Sequence, residues 1–116
     1  MRVAVIGSRH FSALDQVTDY VNGLPARASI VTGGASGVDA AATKAARARG
    51  LAVQVLPMSF EEVRDTAVAE GRRTRLVESC DVLVAFWDGA SPGTRATVER
   101  ALDAGKEVHV FLSKMG

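Results

Sequence analysis

The chain has a single cysteine, Cys80, two histidines, three prolines and an aromatic content of only 5%, and each shortage removes a class of function. One cysteine can neither close an intramolecular disulfide nor build a cysteine-rich zinc cluster, and it fits a reducing compartment. Its ordinary reading is a small buried residue at a helix end. His10 and His109 are far apart in sequence, and His109 sits inside an apolar strand pattern, so a structural zinc site lacks ligands and no metal is expected. No apolar run approaches the roughly 20 residues of a membrane span, and Met1-Arg2 leads directly into a strand pattern, where a signal peptide would need a cleavage site. A soluble, cytoplasmic protein without membrane contact is expected. Net charge is nearly absent as well: 14 Lys and Arg against 13 Asp and Glu leave +1. That is too little for a general nucleic-acid footprint, and the few aromatics provide no series of stacking platforms for a single strand.

What the chain does have is a 47% hydrophobic fraction with 23% charged residues over 116 positions, enough for one packed core and a wettable surface. Residues 1–116 read as a single domain. Five short runs rich in Val and Ile, from Val3 to Ile6, Ala28 to Thr32, Ala52 to Leu56, Val82 to Phe86 and Val108 to Leu112, read as strands. Their nearly continuous apolar character is what a strand covered on both faces needs, and crossover helices supply that cover.

Helical patterns fill the gaps. Ser12 and Asp15 make a capping-box-like start for a stripe of Leu14, Val17, Val21 and Leu24, stopped by Gly23 and Pro25. From Val38 an alanine-rich stripe of Ala41, Ala42, Ala45 and Ala48 runs to Gly50, with small side chains that allow close approach to a sheet. Ser59 and Glu62 form a second capping box, opening a helix through Phe60, Val63 and Ala67 that is expected to break or bend at Gly71 before Leu76 and Val77 resume the stripe. That break would bring Arg72, Arg73 and Arg75 together, either as a phosphate-binding cluster or as a solvated basic face. A last helix from Thr94 to Ala104 points Val98, Ala101 and Leu102 inward and ends at Gly105.

Strand, helix, strand repeated without a gap is the signature of right-handed crossovers. The predicted fold is α/β: a three-layer, Rossmann-like, doubly wound and mainly parallel five-stranded sheet of order 3-2-1-4-5.

In such a sheet the loops at the carboxyl ends of the strands share one edge, and a crevice opens where strand order reverses, here between strands one and four. Gly7, Ser8, Arg9 and His10 follow strand one. Gly33, Gly34, Ser36, Gly37 and Asp39 follow strand two, and Trp87, Asp88, Ser91, Gly93 and Thr94 follow strand four. Gly33, Gly34 and Gly37 lie between a strand and a helix start, where missing Cβ atoms and free amides suit an anion, although tight-turn geometry alone also accounts for them. Their spacing is neither a GxGxxG fingerprint nor a GxxxxGK[ST] loop. Asp39, in the first turn of its helix, favours the positive dipole end and is better suited to ribose hydroxyls than to phosphate. Gly93 and Thr94 offer a second helix entrance, Arg95 and Arg9 are candidate forks for an anion, and Trp87 is either a wall for a base or a packing residue. No serine lies in a GxSxG elbow, so a hydrolase triad has no anchor.

Three stretches together resemble one known group: Val5-Ile6-Gly7-Ser8-Arg9, Thr32-Gly33-Gly34-Ala35-Ser36-Gly37-Val38-Asp39, and Ala85-Phe86-Trp87-Asp88-Gly89 followed by Ser91-Pro92-Gly93-Thr94. They look like the SLOG superfamily, which groups the Smf/DprA DNA-processing proteins with the Lonely Guy phosphoribohydrolases. The chain is most similar to its small stand-alone YspA-type members, described as nucleotide-binding Rossmann-like domains. The resemblance implies that Gly33, Gly34, Gly37 and Asp39 form one half of a nucleotide site and Ser91, Gly93 and Thr94 the phosphate-side half. Lonely Guy enzymes cleave the N-glycosidic bond of a nucleoside monophosphate with a glutamate three residues after the threonine of PGGxGTxxE. Here that position is Thr97, and Glu99 is displaced by about 200° around a helix. The YspA-type pattern also carries an Arg-Asn pair before strand four, where this chain has Arg73-Thr74, so the resemblance gives Arg73 a phosphate role.

The expectation is therefore a nucleotide-binding or sensing module for ribose phosphates, ADP-ribose-like ligands or nucleoside monophosphates, with no bound cofactor. Phosphate would dock at Gly34 to Gly37 and at Gly93 to Thr94, with Arg9 or Arg73 neutralising it, ribose near Asp39 and base against Trp87. The alternative is a nucleotide N-glycosidase with Asp39, Asp88 or Glu99 as its carboxylate. DprA-like single-stranded DNA binding is the third reading, and nucleic acid is not the expected partner. Self-association as a homo-oligomer is expected, because a lone small α/β layer leaves an apolar helix face uncovered and the related enzymes are dimers.

Overall fold

The Val- and Ile-rich runs become the five strands of one sheet in the computed structural model, which describes residues 1–8, 10–34, 37–56 and 65–112. Among these residues the order of elements is β1 (Arg2–Gly7), α1 (Leu14–Asn22), β2 (Ser29–Thr32), α2 (Val38–Ala48), β3 (Ala52–Val55), α3 (Thr66–Glu78), β4 (Val82–Trp87), α4 (Pro92–Asp103) and β5 (Glu107–Leu112). The sheet is entirely parallel and its order is β3-β2-β1-β4-β5, as the alternating pattern predicts. No helix among the described residues is long and apolar enough to cross a membrane.

Side chains alternate across the strands, so each face of the sheet builds its own core. Val3, Val5, Ile30, Val84 and Phe86 pack with Val17 and Val21 of α1 and with Val38, Ala42 and Ala46 of α2. The opposite face sets Ala4, Val31 and Leu83 against Leu76 and Val77 of α3, Cys80, and Ala101 of α4. Cys80 is buried just past the end of α3, and that burial raises the thiol pKa above its ordinary value. Phe86 anchors an aromatic cluster, stacked on Phe111 at 5.0 Å and edge-on to Phe11 at 5.5 Å. Gly50 and Gly105, expected as helix stops, both take the left-handed backbone that ends a helix, with φ of 74° and 73°.

Three local expectations are corrected. The Ser12–Asp15 box does not form: α1 begins after Ala13, which makes no side-chain cap, and the amide of Leu14 donates instead to the Ser12 carbonyl. Burial of Phe11 against Phe86 fixes how the chain enters this helix. Helix α3 does not break at Gly71 but runs from Thr66 to Glu78, capped by the Asp65 carboxylate, which accepts from the amides of Ala67 and Val68. A single interior glycine costs a helix only about 1 kcal/mol, which a cap and the burial of Leu76 and Val77 offset. Leu102 is 58% exposed, on the helix that precedes β5, an edge strand of the sheet beyond which no further strand lies among the described residues. The second capping box, Ser59 with Glu62, lies outside the described residues.

Candidate functional site

The register aligns the carboxyl ends of β1, β2 and β4 along one edge, with Gly7 opposite Phe86 and Thr32 opposite Val55. A Cβ on Gly7 would lie 2.4 to 2.6 Å from three side-chain atoms of Val38, so this glycine lets the start of α2 sit directly on the end of β1. Ser8 ties two loops together. Its amide donates to the Phe86 carbonyl at 2.9 Å and its Oγ accepts from the Asp88 amide at 3.0 Å. His10, two residues on, is exposed.

The loop after β4 is built around Asp88. One oxygen accepts from the amides of Ala90 and Ser91, both at 2.8 Å, and the other from the Ser91 hydroxyl at 2.9 Å. These bonds, led by the Ala90 amide, hold the carboxyl down at about 2. Trp87 folds back over the same loop, its Nε1 donating to the Ser91 carbonyl at 3.1 Å. Ser91 occupies the N-cap position of α4, but its hydroxyl is spent on Asp88 and no side chain caps the helix. Pro92 follows at the first helical position, so the amides of Gly93 and Thr94 face outward without an intrahelical acceptor. Thr97, where the resemblance places a catalytic glutamate, is buried, and its hydroxyl donates to the Gly93 carbonyl at 3.0 Å. Glu99 points to the exposed side of α4 and pairs with Arg95 at 2.9 Å.

Gly33 and Gly34 carry the chain from β2 toward α2. Gly34 and Gly37 have φ of 80° and 79°, a backbone that disfavours any other residue, and Gly37 stands at the helix start with no side chain to cap the first amides of α2. Gly33 has no such φ, and its requirement is space: a Cβ there would lie 2.2 Å from Arg72 Nη2 and 2.9 Å from Asp39 Oδ2. Arg72 therefore occupies the room that glycine leaves. Its Nη2 donates to the carbonyls of Gly33 at 3.2 Å and Leu56 at 2.8 Å, and its Nε donates again to Leu56. Asp39 is 9% exposed and lies in the first turn of α2, where the positive end of the helix favours a carboxylate. Beneath the loop the hydroxyl of Thr32 is fully buried and has no hydrogen-bond partner among the described residues.

Arg73 lies near the other entrance. Its Nη1 bonds Glu70 Oε1 at 2.7 Å, while its Nη2 lies 3.7 Å from where a Gly93 Cβ would stand. Glu70 is also held by Arg100 of α4, and this second guanidinium is the main reason its carboxyl pKa is lowered. The structure thus brings Gly33, Asp39 and Arg72 to one helix start and Gly93, Thr94 and Arg73 to the other. It uses Gly7, Ser8, Trp87, Asp88 and Ser91 to build the loops between them. Arg9 and Ser36 lie outside the described residues. Sequence reasoning grouped Arg72 with its neighbours without assigning it a loop, and it passed over Glu70 and Arg100. The available signal was helical phase, since adjacent residues 100° apart on one helix can address two neighbouring loops.

The fold is similar to that of DNA processing protein A (DprA) from Streptococcus pneumoniae, with a TM-score of 0.80 and 21% sequence identity over 98% of this chain and 51% of that one. The chain therefore spans about half the length of that relative, and the likeness concerns the fold. No curated protein matches it significantly. The model of the SLOG cluster4 family matches residues 1–115, essentially from end to end, and the chain belongs to that family.

Proposed function

We propose that the chain binds a nucleotide-derived ligand at the carboxyl edge of its sheet and holds it without cleaving it. The observation that carries this reading is the pair of consecutive arginines on α3, one guanidinium set against Gly33 and the other near Gly93. Each glycine lies at a helix entrance whose amides and dipole favour an anion; Arg73 adds a cation at the second, while Arg72 holds the Gly33 loop in place. Phosphate docks between the Gly93 and Thr94 amides and Arg73. Ribose hydroxyls fall to Asp39, an acceptor that suits them and repels phosphate, and the base lies toward Trp87.

Binding is preferred over hydrolysis because the candidate carboxylates Asp88 and Glu99 are already engaged. Asp88 is bonded three times within its own loop and Glu99 is paired on an exposed face. Thr97 supplies no acid at the position where the phosphoribohydrolases carry theirs.

Titration calorimetry and native mass spectrometry with AMP, NAD and ADP-ribose test the proposal, with Trp87, the only tryptophan, as a fluorescent reporter. One intact ligand per subunit is expected, together with a large loss of affinity in Arg73→Gln. Release of free base and ribose phosphate would replace the binding reading with the enzymatic one. Failure of all three ligands, with tight binding of a single-stranded oligonucleotide instead, would replace it with DNA binding.

A further inference from the structure

Glu70 sits between two arginines from different helices and is satisfied by both. Its Oε1 takes Arg73 Nη1 of α3 and its Oε2 takes Arg100 Nη2 of α4. Only Arg73 also faces the entrance at Gly93. We propose that Glu70 is a built-in counter-ion which competes with the ligand's phosphate for Arg73 and so sets the affinity of the site for phosphate-bearing ligands. This deepens the nucleotide-binding reading and rests on it.

The exchange is chemically favourable because neither party is stranded. When Arg73 turns to a phosphate, Glu70 keeps Arg100, whose Nη2 is bonded to its other oxygen, Oε2. The incoming phosphate offers Arg73 more negative charge and more oxygens than one carboxylate, and the amides of Gly93 and Thr94 bind it at the same time. The pair is also accessible to exchange, because the Glu70 side chain is 38% exposed and that of Arg73 23%.

The surroundings limit where the phosphate can go. A groove of about 450 Å³ between α3 and α4 is lined by Glu70, Glu78, Glu99 and Asp103, with Arg100 as its cation. This lining, with more carboxylates than cations, disfavours an anion within the groove, whereas the uncapped start of α4 at Gly93 and Thr94 favours one. A ligand with an extended second anionic group running down α4 is disfavoured for the same reason. The counter-ion therefore selects as well as weakens.

The test removes the charge and keeps the shape. In low salt, Glu70→Gln is expected to bind AMP about fivefold more tightly than the parent protein, as loss of one partly exposed ion pair implies. Adenosine, which has no phosphate, should bind both proteins equally. The gain should vanish when Glu70→Gln is made in Arg73→Gln, because it acts through Arg73, and thermal melts of the parent, the two single variants and the double variant report folding independently. If the parent binds AMP and Glu70→Gln binds it equally or more weakly, the counter-ion role is overturned while the nucleotide-binding reading stands. If Glu70→Gln alone binds AMP, the counter-ion role is upheld in a stronger form, with Glu70 closing the site. If neither protein binds any nucleotide, the nucleotide-binding reading fails and takes this inference with it.

Discussion

Replacing Gly33 with alanine puts a methyl carbon 2.2 Å from Arg72 Nη2, where no atom fits, and 2.9 Å from Asp39 Oδ2. Backbone strain plays no part, because Gly33 is not among the residues with positive φ. The arginine is the more easily moved of the two neighbours, and when it moves it gives up its bonds to the carbonyls of Gly33 and Leu56. A hydrogen bond from a charged donor contributes about 1.5 to 3 kcal/mol, and partial exposure lets water recover some of that. A glycine-to-alanine change returns about 0.4 to 1 kcal/mol through the unfolded chain. The net expectation is a loss of roughly 1 to 2 kcal/mol, or about 4 to 8 °C in melting temperature for a domain of this size. Equilibrium urea unfolding of the parent, Gly33→Ala, Arg72→Ala and the double variant gives the decisive comparison. Once Arg72 is absent the closer of the two clashes is gone, so Gly33→Ala should cost clearly less than it does in the parent. Additivity of the two changes to within about 0.5 kcal/mol would refute the claim that Arg72 is what requires glycine at this position.

Gly7→Ala should be the most damaging of the glycine changes, costing about 3 kcal/mol or more by forcing β1 and α2 apart at Val38; a loss below about 1 kcal/mol would show that the helix start can slide. Gly71→Ala should instead stabilise by about 0.5 to 1 kcal/mol, since the residue lies inside a continuous helix and its Cβ would meet only Arg75 Nη1 at 3.8 Å; a destabilised variant would favour the broken helix that the sequence suggests. Asp88 titrates at about 2 in the folded chain against an ordinary 3.8, so its contribution to stability is complete above about pH 4 and is lost as pH falls through 2. Asp88→Asn should therefore be less stable than the parent at pH 7, with the gap closing between pH 4 and 2; a gap independent of pH would mean that the charge itself is not what organises the loop.

The fold was legible because its physical causes are local. Strands covered on both faces must be apolar along their whole length, and the runs at Val3 and Val82 have that character and are buried. Short connections then leave few ways to thread the sheet, and the order β3-β2-β1-β4-β5 follows. Errors arose where a residue's fate depends on what lies beyond it in space. Gly71 carries the local mark of a break, yet the helix is held at both ends by Asp65 and by the buried Leu76 and Val77. Leu102 fits an inward stripe but is 58% exposed, as are Val110 and Leu112 of the edge strand at 43% and 60%. An edge position was implied by the strand order itself, so this exposure was available to reasoning that carried topology back to side chains.

The candidate site shows the same division more sharply. Glycines between a strand and a helix can be read directly, because the need for a left-handed backbone or for space is a property of those positions, as Gly34 and Gly37 illustrate. The partners of those glycines cannot be read in this way, since they come from α3, some 20 to 40 residues away in sequence. Their assignment turns on helical phase, and phase can be counted only if the helix is unbroken. A break at Gly71 makes Arg72, Arg73 and Arg75 an undifferentiated basic cluster. Continuity through Gly71 gives Arg72 one direction, toward Gly33, and Arg73 another, toward Gly93. It also places Glu70 one turn before Arg73, where the two side chains are neighbours on the helix surface. The misjudged glycine and the missed roles of Arg72 and Glu70 are thus one error, and correcting the helix supplies both.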